Sequence, residues 1–174
     1  PAMKGKYINW DYLCYQIQAM MCRDLKNVEF SIPKSPFTLI NVENTRVLIW
    51  HGDSIRSWAG VPWYGIERAA LKLNDLLKAR KDFYDLMLLG HFHCRAEIEK
   101  AAGPIVVNGS IKGGDEYSLG TLQSVNRPCQ NLLHIHSEHG FIGGEPIYLQ
   151  GADTKKEMFK DFTGETELWV DLKV

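Results

Sequence analysis

The stretch that most constrains the fold of this chain is an apolar run, Leu86 to Leu89, that ends in the turn Gly90-His91-Phe92-His93. Four large apolar residues in succession are typical of a strand buried on both faces, and the glycine allows a sharp turn at its carboxyl end. In open α/β sheets, ligands bind in the crevice beyond the carboxyl ends of the strands. His91 and His93 are therefore candidate metal ligands, since imidazole is a common metal-binding group.

A second strand followed by a histidine lies upstream, where Arg46 to Trp50 leads into His51-Gly52-Asp53. A helix-like segment separates the two strands, so they can be adjacent and parallel and joined by a crossover. The three histidines would then converge at one edge of a sheet. Asp53 is expected to point away from them, and Cys94 is expected to be packed rather than bound to metal.

The remaining elements follow from hydrophobic periodicity and turn residues. Apolar residues at helical spacing predict amphipathic helices over Asn9 to Lys26, with Asn9 as its cap, and over Ile66 to Arg80. Short strands are predicted at Val28 to Ile32 and Phe37 to Val42, so that together with Arg46 to Trp50 they form a three-stranded meander. Two hairpins are predicted downstream, the first pairing Arg95–Glu99 with Pro104–Val107 and the second pairing Leu132–His136 with Glu145–Leu149.

The two histidine turns resemble the late motifs of the calcineurin-like metallophosphoesterases, in which a lone histidine precedes Gly-His-x-His. Val107-Asn108-Gly109-Ser110 is similar to the small-residue turn that follows in that family, and the resemblance covers roughly residues 37 to 112. It implies an α/β fold, a metallophosphoesterase-type β-sandwich flanked by helices. The DNA-repair exonuclease branch is one candidate within the superfamily.

The early motifs of that family, Asp-x-His, Gly-Asp and Gly-Asn-His, do not occur before His51. Residues 1–150 are therefore expected to form the carboxyl-terminal part of a metallophosphoesterase domain that lacks its N-terminal strands. Residues 151–174 are expected to form a polar tail. The missing strands would expose a sheet edge that could pair with a second chain or a second copy.

The resemblance implies hydrolysis of a phosphoester with two divalent metal ions, and a phosphodiesterase or nuclease is the first hypothesis. It assigns His51 and His91 to one ion and His93 to the other, and Mn, Fe, Ni or Zn would suit such ligands. Because the other ligands are missing, the chain alone is expected to be inactive. The alternatives are a non-catalytic scaffold that docks a partner and one half of a split enzyme.

The loop after His51 carries three large aromatic residues, Trp58, Trp63 and Tyr64, together with Arg56. So much exposed aromatic area indicates either contact with a substrate or partner, or packing over the domain. Arg56 could hold a phosphate oxygen through its planar guanidinium or form a surface salt bridge. These four residues are the candidate substrate-binding residues, and the rings could stack on DNA bases.

The net charge of −1 gives no support to a nucleic-acid-binding protein, although a local basic patch would be compatible with it. The group Lys72, Lys78, Arg80 and Lys81 is interpreted as a solvated helix face. Four cysteines without Cys-x-x-Cys spacing predict reduced thiols and a cytoplasmic location. No apolar run is long enough to span a membrane, and His134 and His136 are interpreted as ordinary strand residues.

Overall fold

The computed structural model describes residues 9–56, 61–114 and 126–149. The chain divides into two compact units, Pro1–Thr38 and Leu39–Val174. The first unit contains helix α1 (Trp10–Met21), which begins after Asn9. The Asn9 side chain accepts a hydrogen bond from the Tyr12 backbone N–H at 2.8 Å, as predicted for a cap. This bond satisfies one of the N–H groups that a helix start leaves without a partner.

The second unit is built on a mixed five-stranded sheet and a two-stranded sheet. The strand order is β1-β2-β3-β5-β4 in the larger sheet and β6-β7 in the smaller one. The elements in chain order are β1 (Phe37–Val42), which begins at the boundary between the units, β2 (Thr45–Trp50), α2 (Trp63–Ala79), β3 (Leu86–Leu89), β4 (Ala96–Ile98), β5 (Ile105–Val107), β6 (Cys129–His136) and β7 (Gly140–Tyr148).

The three central strands run parallel, which confirms the prediction for the two histidine-bearing strands. β2 pairs with β3, with Trp50 opposite Leu89, and β3 pairs with β5, with Leu89 opposite Val107. β4 and β5 form the predicted antiparallel hairpin. Because β2, β3 and β5 are parallel, their carboxyl ends meet at one edge, where His51 and the Gly90-His91 turn follow.

Each face of the larger sheet is covered by a different element. On one face, called the hairpin face, Val47, Leu86 and Val106 are buried beneath apolar residues of β6 and β7, among them Leu133 and Phe141. The other, called the helix face, carries the alternate residues of the same strands, and α2 covers it with four buried side chains: Ile66, Ala70, Leu73 and Leu77. The predicted α/β fold, in which two packed sheets are flanked by helices, is confirmed, and α2 is the flanking helix of the second unit.

Several secondary-structure predictions differ from the structure. Helix α1 ends at Met21 rather than Lys26, and strand β6 begins at Cys129 rather than Leu132. Residues 28–32 are not a strand, so the meander has two strands instead of three. Pro33 lacks an N–H, and in the described residues no strand pairs with this segment to satisfy its backbone groups. Helix α2 begins at Trp63 rather than Ile66, because the Pro62 carbonyl already accepts the Ile66 N–H at 2.9 Å. Strand β7 begins at Gly140, within the segment expected to be a loop.

Candidate functional site

The two histidine turns lie side by side beyond β2 and β3. The Gly90 N–H donates to the Trp50 carbonyl at 3.4 Å, and the Asn108 N–H donates to the Leu89 carbonyl at 2.7 Å, so backbone hydrogen bonds link all three strand ends. The imidazole rings of His51 and His91 have centroids 5.1 Å apart and an interplanar angle of 74°. The structure thus brings these two predicted ligands together.

The backbone of both turns is left-handed at several positions. Gly52 has φ +91°, and a Cβ at this position would lie 3.4 Å from Leu89 and 3.6 Å from the Phe92 ring. His91 and His93 have φ +69° and +54°, a region that side chains other than glycine enter infrequently. A compact turn results, in which the Phe92 N–H donates to the Gly90 carbonyl at 2.8 Å.

The paired rings of His51 and His91 fit shared ligation of one metal ion. Two imidazoles bound to a tetrahedral ion through nitrogens at about 2.0–2.1 Å place their ring centroids about 5 Å apart, close to the separation here. Both side chains are exposed and accessible to an ion. In the described part of the chain, however, no group of three or more His, Cys, Asp or Glu side chains could hold a metal. The described residues therefore fit two ligands of one ion and do not by themselves form a two-metal site.

His93 and Cys94 complete the second turn without joining such a group. His93 is exposed. Burial, and secondarily the neighbouring Cys129, raises the pKa of the Cys94 thiol, which favours the protonated thiol over the metal-binding thiolate. This direction agrees with the expectation that Cys94 is packed.

A cavity of about 380 Å³, called the histidine cavity, lies beside His51 on the hairpin face. Its apolar wall includes Ile49, Leu88 and Leu133, and its polar wall includes the amides of Asn108 and Asn131. The sequence predicts Asn108 in a turn, whereas Asn131 is not among the predicted site residues. Nothing in the local sequence marks Asn131, because its position on β6 reaches the site only through the packing of the two sheets.

A hydrogen-bond network fixes the two asparagine amides. Asn108 donates to Gln130 Oε1 at 2.8 Å and accepts from the Asn131 N–H at 3.0 Å. Asn131 donates to the Val107 carbonyl at 3.1 Å and accepts from Arg95 Nε at 3.0 Å. Each amide NH₂ therefore retains a second N–H beyond these bonds.

Of the candidate substrate-binding residues, the three that the structure describes, Arg56, Trp63 and Tyr64, do not line the histidine cavity. Arg56 lines a different cavity, which shares only Trp50 with it. Trp63 and Tyr64 lie in the first turn of α2 rather than in a loop, with exposed fractions of 50% and 74%. Trp58 lies outside the described residues.

No protein-family model matches this chain, and no curated protein matches it. No helix of the described ranges is long and apolar enough to cross a membrane.

The solved structures that are similar to the chain include two of Vps29 and one of an archaeal phosphodiesterase. A Vps29 single mutant from Entamoeba histolytica is 16% identical with a TM-score of 0.45, over 71% of this chain and 66% of that chain, just under two thirds of its length. Wild-type Vps29 from the same organism, complexed with Zn²⁺, is also 16% identical with a TM-score of 0.45, over 79% and 78%. An archaeal phosphodiesterase is 18% identical with a TM-score of 0.36, over 66% of this chain and 51% of that chain. Because these identities and TM-scores are low, the fold is described from the strands and helices of the chain itself.

Proposed function

We propose that this chain contributes His51, His91 and His93 to a divalent-metal site that hydrolyses phosphoesters. The observation that carries the proposal is the 5.1 Å approach of the His51 and His91 rings at the carboxyl ends of adjacent parallel strands. Phosphodiesters, including DNA, are the first candidate substrates, because the sequence resemblance implies a phosphodiesterase or nuclease. A cytoplasmic location is part of the same proposal.

The residues of this chain would act mainly by binding and orientation. His51 and His91 would each offer a neutral imidazole nitrogen to an ion, with His93 as a further ligand. A bound divalent ion neutralises phosphoryl charge and lowers the pKa of bound water. The remaining N–H groups of Asn108 and Asn131 would donate hydrogen bonds to an acceptor bound in the histidine cavity, such as a phosphoryl oxygen. Arg56, Trp58, Trp63 and Tyr64 remain proposed contacts with more distant parts of the substrate.

Two ions, with Mn, Fe, Ni and Zn as candidates, would need carboxylate ligands in addition. The proposal assigns these ligands to the part of the metallophosphoesterase domain that lies outside this sequence, on a longer parent chain, on a second polypeptide or on a second copy. The open edge of the larger sheet fits this assignment, because β1 is an edge strand that exposes Ile40 and Val42.

Metal titration tests the proposal directly. We expect Zn²⁺ and Mn²⁺ to bind the wild-type chain in calorimetry, and His51→Ala and His91→Ala each to weaken binding at least about tenfold, since even outer-shell changes cost that much. His134→Ala is the matched control, because it removes an imidazole from strand β6 that is not among the described residues lining the histidine cavity. Equal binding by all four proteins would contradict the proposal.

A non-catalytic scaffold is the second candidate, and the lack of a third converging ligand in the described residues favours it. Native mass spectrometry separates the two candidates. A complex larger than the 19.8 kDa chain that carries two ions and hydrolyses bis-p-nitrophenyl phosphate supports the enzyme. A metal-free complex that survives the His51→Ala, His91→Ala double substitution supports the scaffold.

A further inference from the structure

A second cavity, of about 440 Å³, lies between the loop after β2 and helix α2. We call it the cationic cavity. A Cβ on Gly65 would lie 3.1 Å from Ile55 Cγ2, so the missing side chain lets the loop approach the helix closely. The Ile55 N–H in turn donates to the Gly52 carbonyl at 2.9 Å. This hydrogen bond closes a tight turn in the loop that follows His51 in the sequence.

Among the described residues that line this cavity, three are cations and none is a carboxylate. Arg68 and Lys72 are one helical turn apart on α2 and share a face, and Arg56 lines the cavity from the loop. None of the three forms an ion pair with another described residue, and the Arg68 guanidinium lies over the Tyr64 ring, 5.4 Å from its centroid. Like charges one turn apart repel each other, so an anion held between them would relieve the repulsion.

The remaining walls are apolar or small. Trp50 and Ile55 contribute apolar surface, Ala69 lies on the helix between the cations, and Ser54 adds a hydroxyl. The volume is within the range of small-molecule sites, about 300–1,000 Å³. A single concave pocket, in a chain of net charge −1, differs from the extended basic stripe that a nucleic-acid strand requires.

We propose that the cationic cavity binds a small phosphate-bearing molecule of nucleotide size. Arg56, Arg68 and Lys72 hold the phosphate oxygens, since guanidinium groups match phosphate geometry and lysine adds a point charge. The organic part lies against Trp50 and Ile55. The proposal does not depend on the metal site, because the two cavities share only Trp50.

Calorimetry in the presence of EDTA, at low salt, tests this site with pyrophosphate, adenosine monophosphate and adenosine. We expect saturable 1:1 binding of the first two ligands and none of adenosine. Arg68→Ala and Lys72→Ala should each weaken pyrophosphate binding about fivefold or more. Lys78→Ala is the matched control, because it removes the same charge from the same helix outside the cavity and should leave the affinity unchanged.

Several outcomes would overturn the proposal. If Lys78→Ala weakened binding as much as Lys72→Ala, the attraction would be diffuse and not a property of the cavity. Absence of saturable binding by the wild-type chain would also exclude the site, as would an oligonucleotide that binds and is not displaced by pyrophosphate. Circular dichroism melts establish that each variant is folded. His51→Ala should retain pyrophosphate binding, which separates failure of this site from failure of the metal site.

Discussion

The histidine cavity and the cationic cavity lie at the end of the same strand and offer opposite chemistry. The first, on the hairpin face, combines imidazole and amide groups with an apolar wall. The second, on the helix face, combines three cations with an indole. One suits a cation and the other an anion, although Trp50 lines both.

The difference follows from the alternation of a strand. Ile49 and Trp50 are adjacent in sequence, but their side chains leave opposite faces of the sheet. The covering element then decides the chemistry: β6 adds Asn131 on one side, and α2 adds Arg68 and Lys72 on the other. One strand end thus contributes residues to both cavities, and the elements packed on each face of the sheet determine which ligand that face can bind.

The largest effect on stability is expected from a substitution that disrupts packing on the hairpin face. Leu86→Ala removes a fully buried side chain beneath β6 and β7, and we expect a loss of about 2–5 kcal/mol in the free energy of unfolding. Ile49→Ala, on a residue with 39% exposure, should cost clearly less. Urea denaturation measures both, and equal losses would show that the hairpin does not cover Leu86.

A smaller effect is expected when the amide network is broken. Asn131→Ala removes the hydrogen bonds that its side chain makes with the Val107 carbonyl and with Arg95 Nε, which should cost about 1–3 kcal/mol of stability. Arg95 keeps its hydrogen bond to the Gly144 carbonyl at 3.2 Å. Pyrophosphate binding at the cationic cavity should stay unchanged, because Asn131 lines only the other cavity. A parallel loss of pyrophosphate affinity would mean that the two cavities are coupled.

The two cavities should also respond differently to pH. Imidazole must be neutral to bind a metal, so lowering the pH from about 7.5 to about 5.5 should weaken Zn²⁺ binding at least about tenfold. Arginine and lysine keep their charge over this interval, so binding of a strong anion such as sulfate should not weaken. Titrations at both pH values, with each ligand, check the contrast.

The smallest effect is expected at Tyr84, a buried residue that lines a cavity on the helix side together with Ala70 and Ile105. Burial raises the pKa of the Tyr84 phenol, and a hydrogen bond with Asn74 opposes this only in part. The unfolded chain then loses the phenolic proton before the folded chain does, so stability falls as the pH rises above about 10. Tyr84→Phe should make the alkaline loss shallower in denaturation curves at pH 9 to about 11. An unchanged slope would contradict this cause.

The sequence was informative where one local pattern decides the outcome. The Leu86–Leu89 run predicted the buried strand, its parallel partner and the histidine turn, and Asn9 predicted the start of α1. The strand predicted at Val28–Ile32 was wrong because a strand forms only where a neighbouring strand pairs with it. The cationic cavity was not predicted because Lys72 was grouped with Lys78 on one solvated helix face. The close packing of the loop on Gly65 forms a cavity that Lys72 lines and Lys78 does not.

The left-handed backbone at His91 and His93 carries a cost that glycine would not have. Holding a residue with a side chain in this conformation costs roughly 1 kcal/mol, and the greater freedom of glycine in the unfolded chain offsets part of the gain that a substitution would bring. If these histidines bind a metal as proposed, selection for metal binding retains them against this strain, and selection for stability alone no longer does. A thermostability screen of the two positions should then tolerate glycine, whereas a screen for Zn²⁺ binding should reject it.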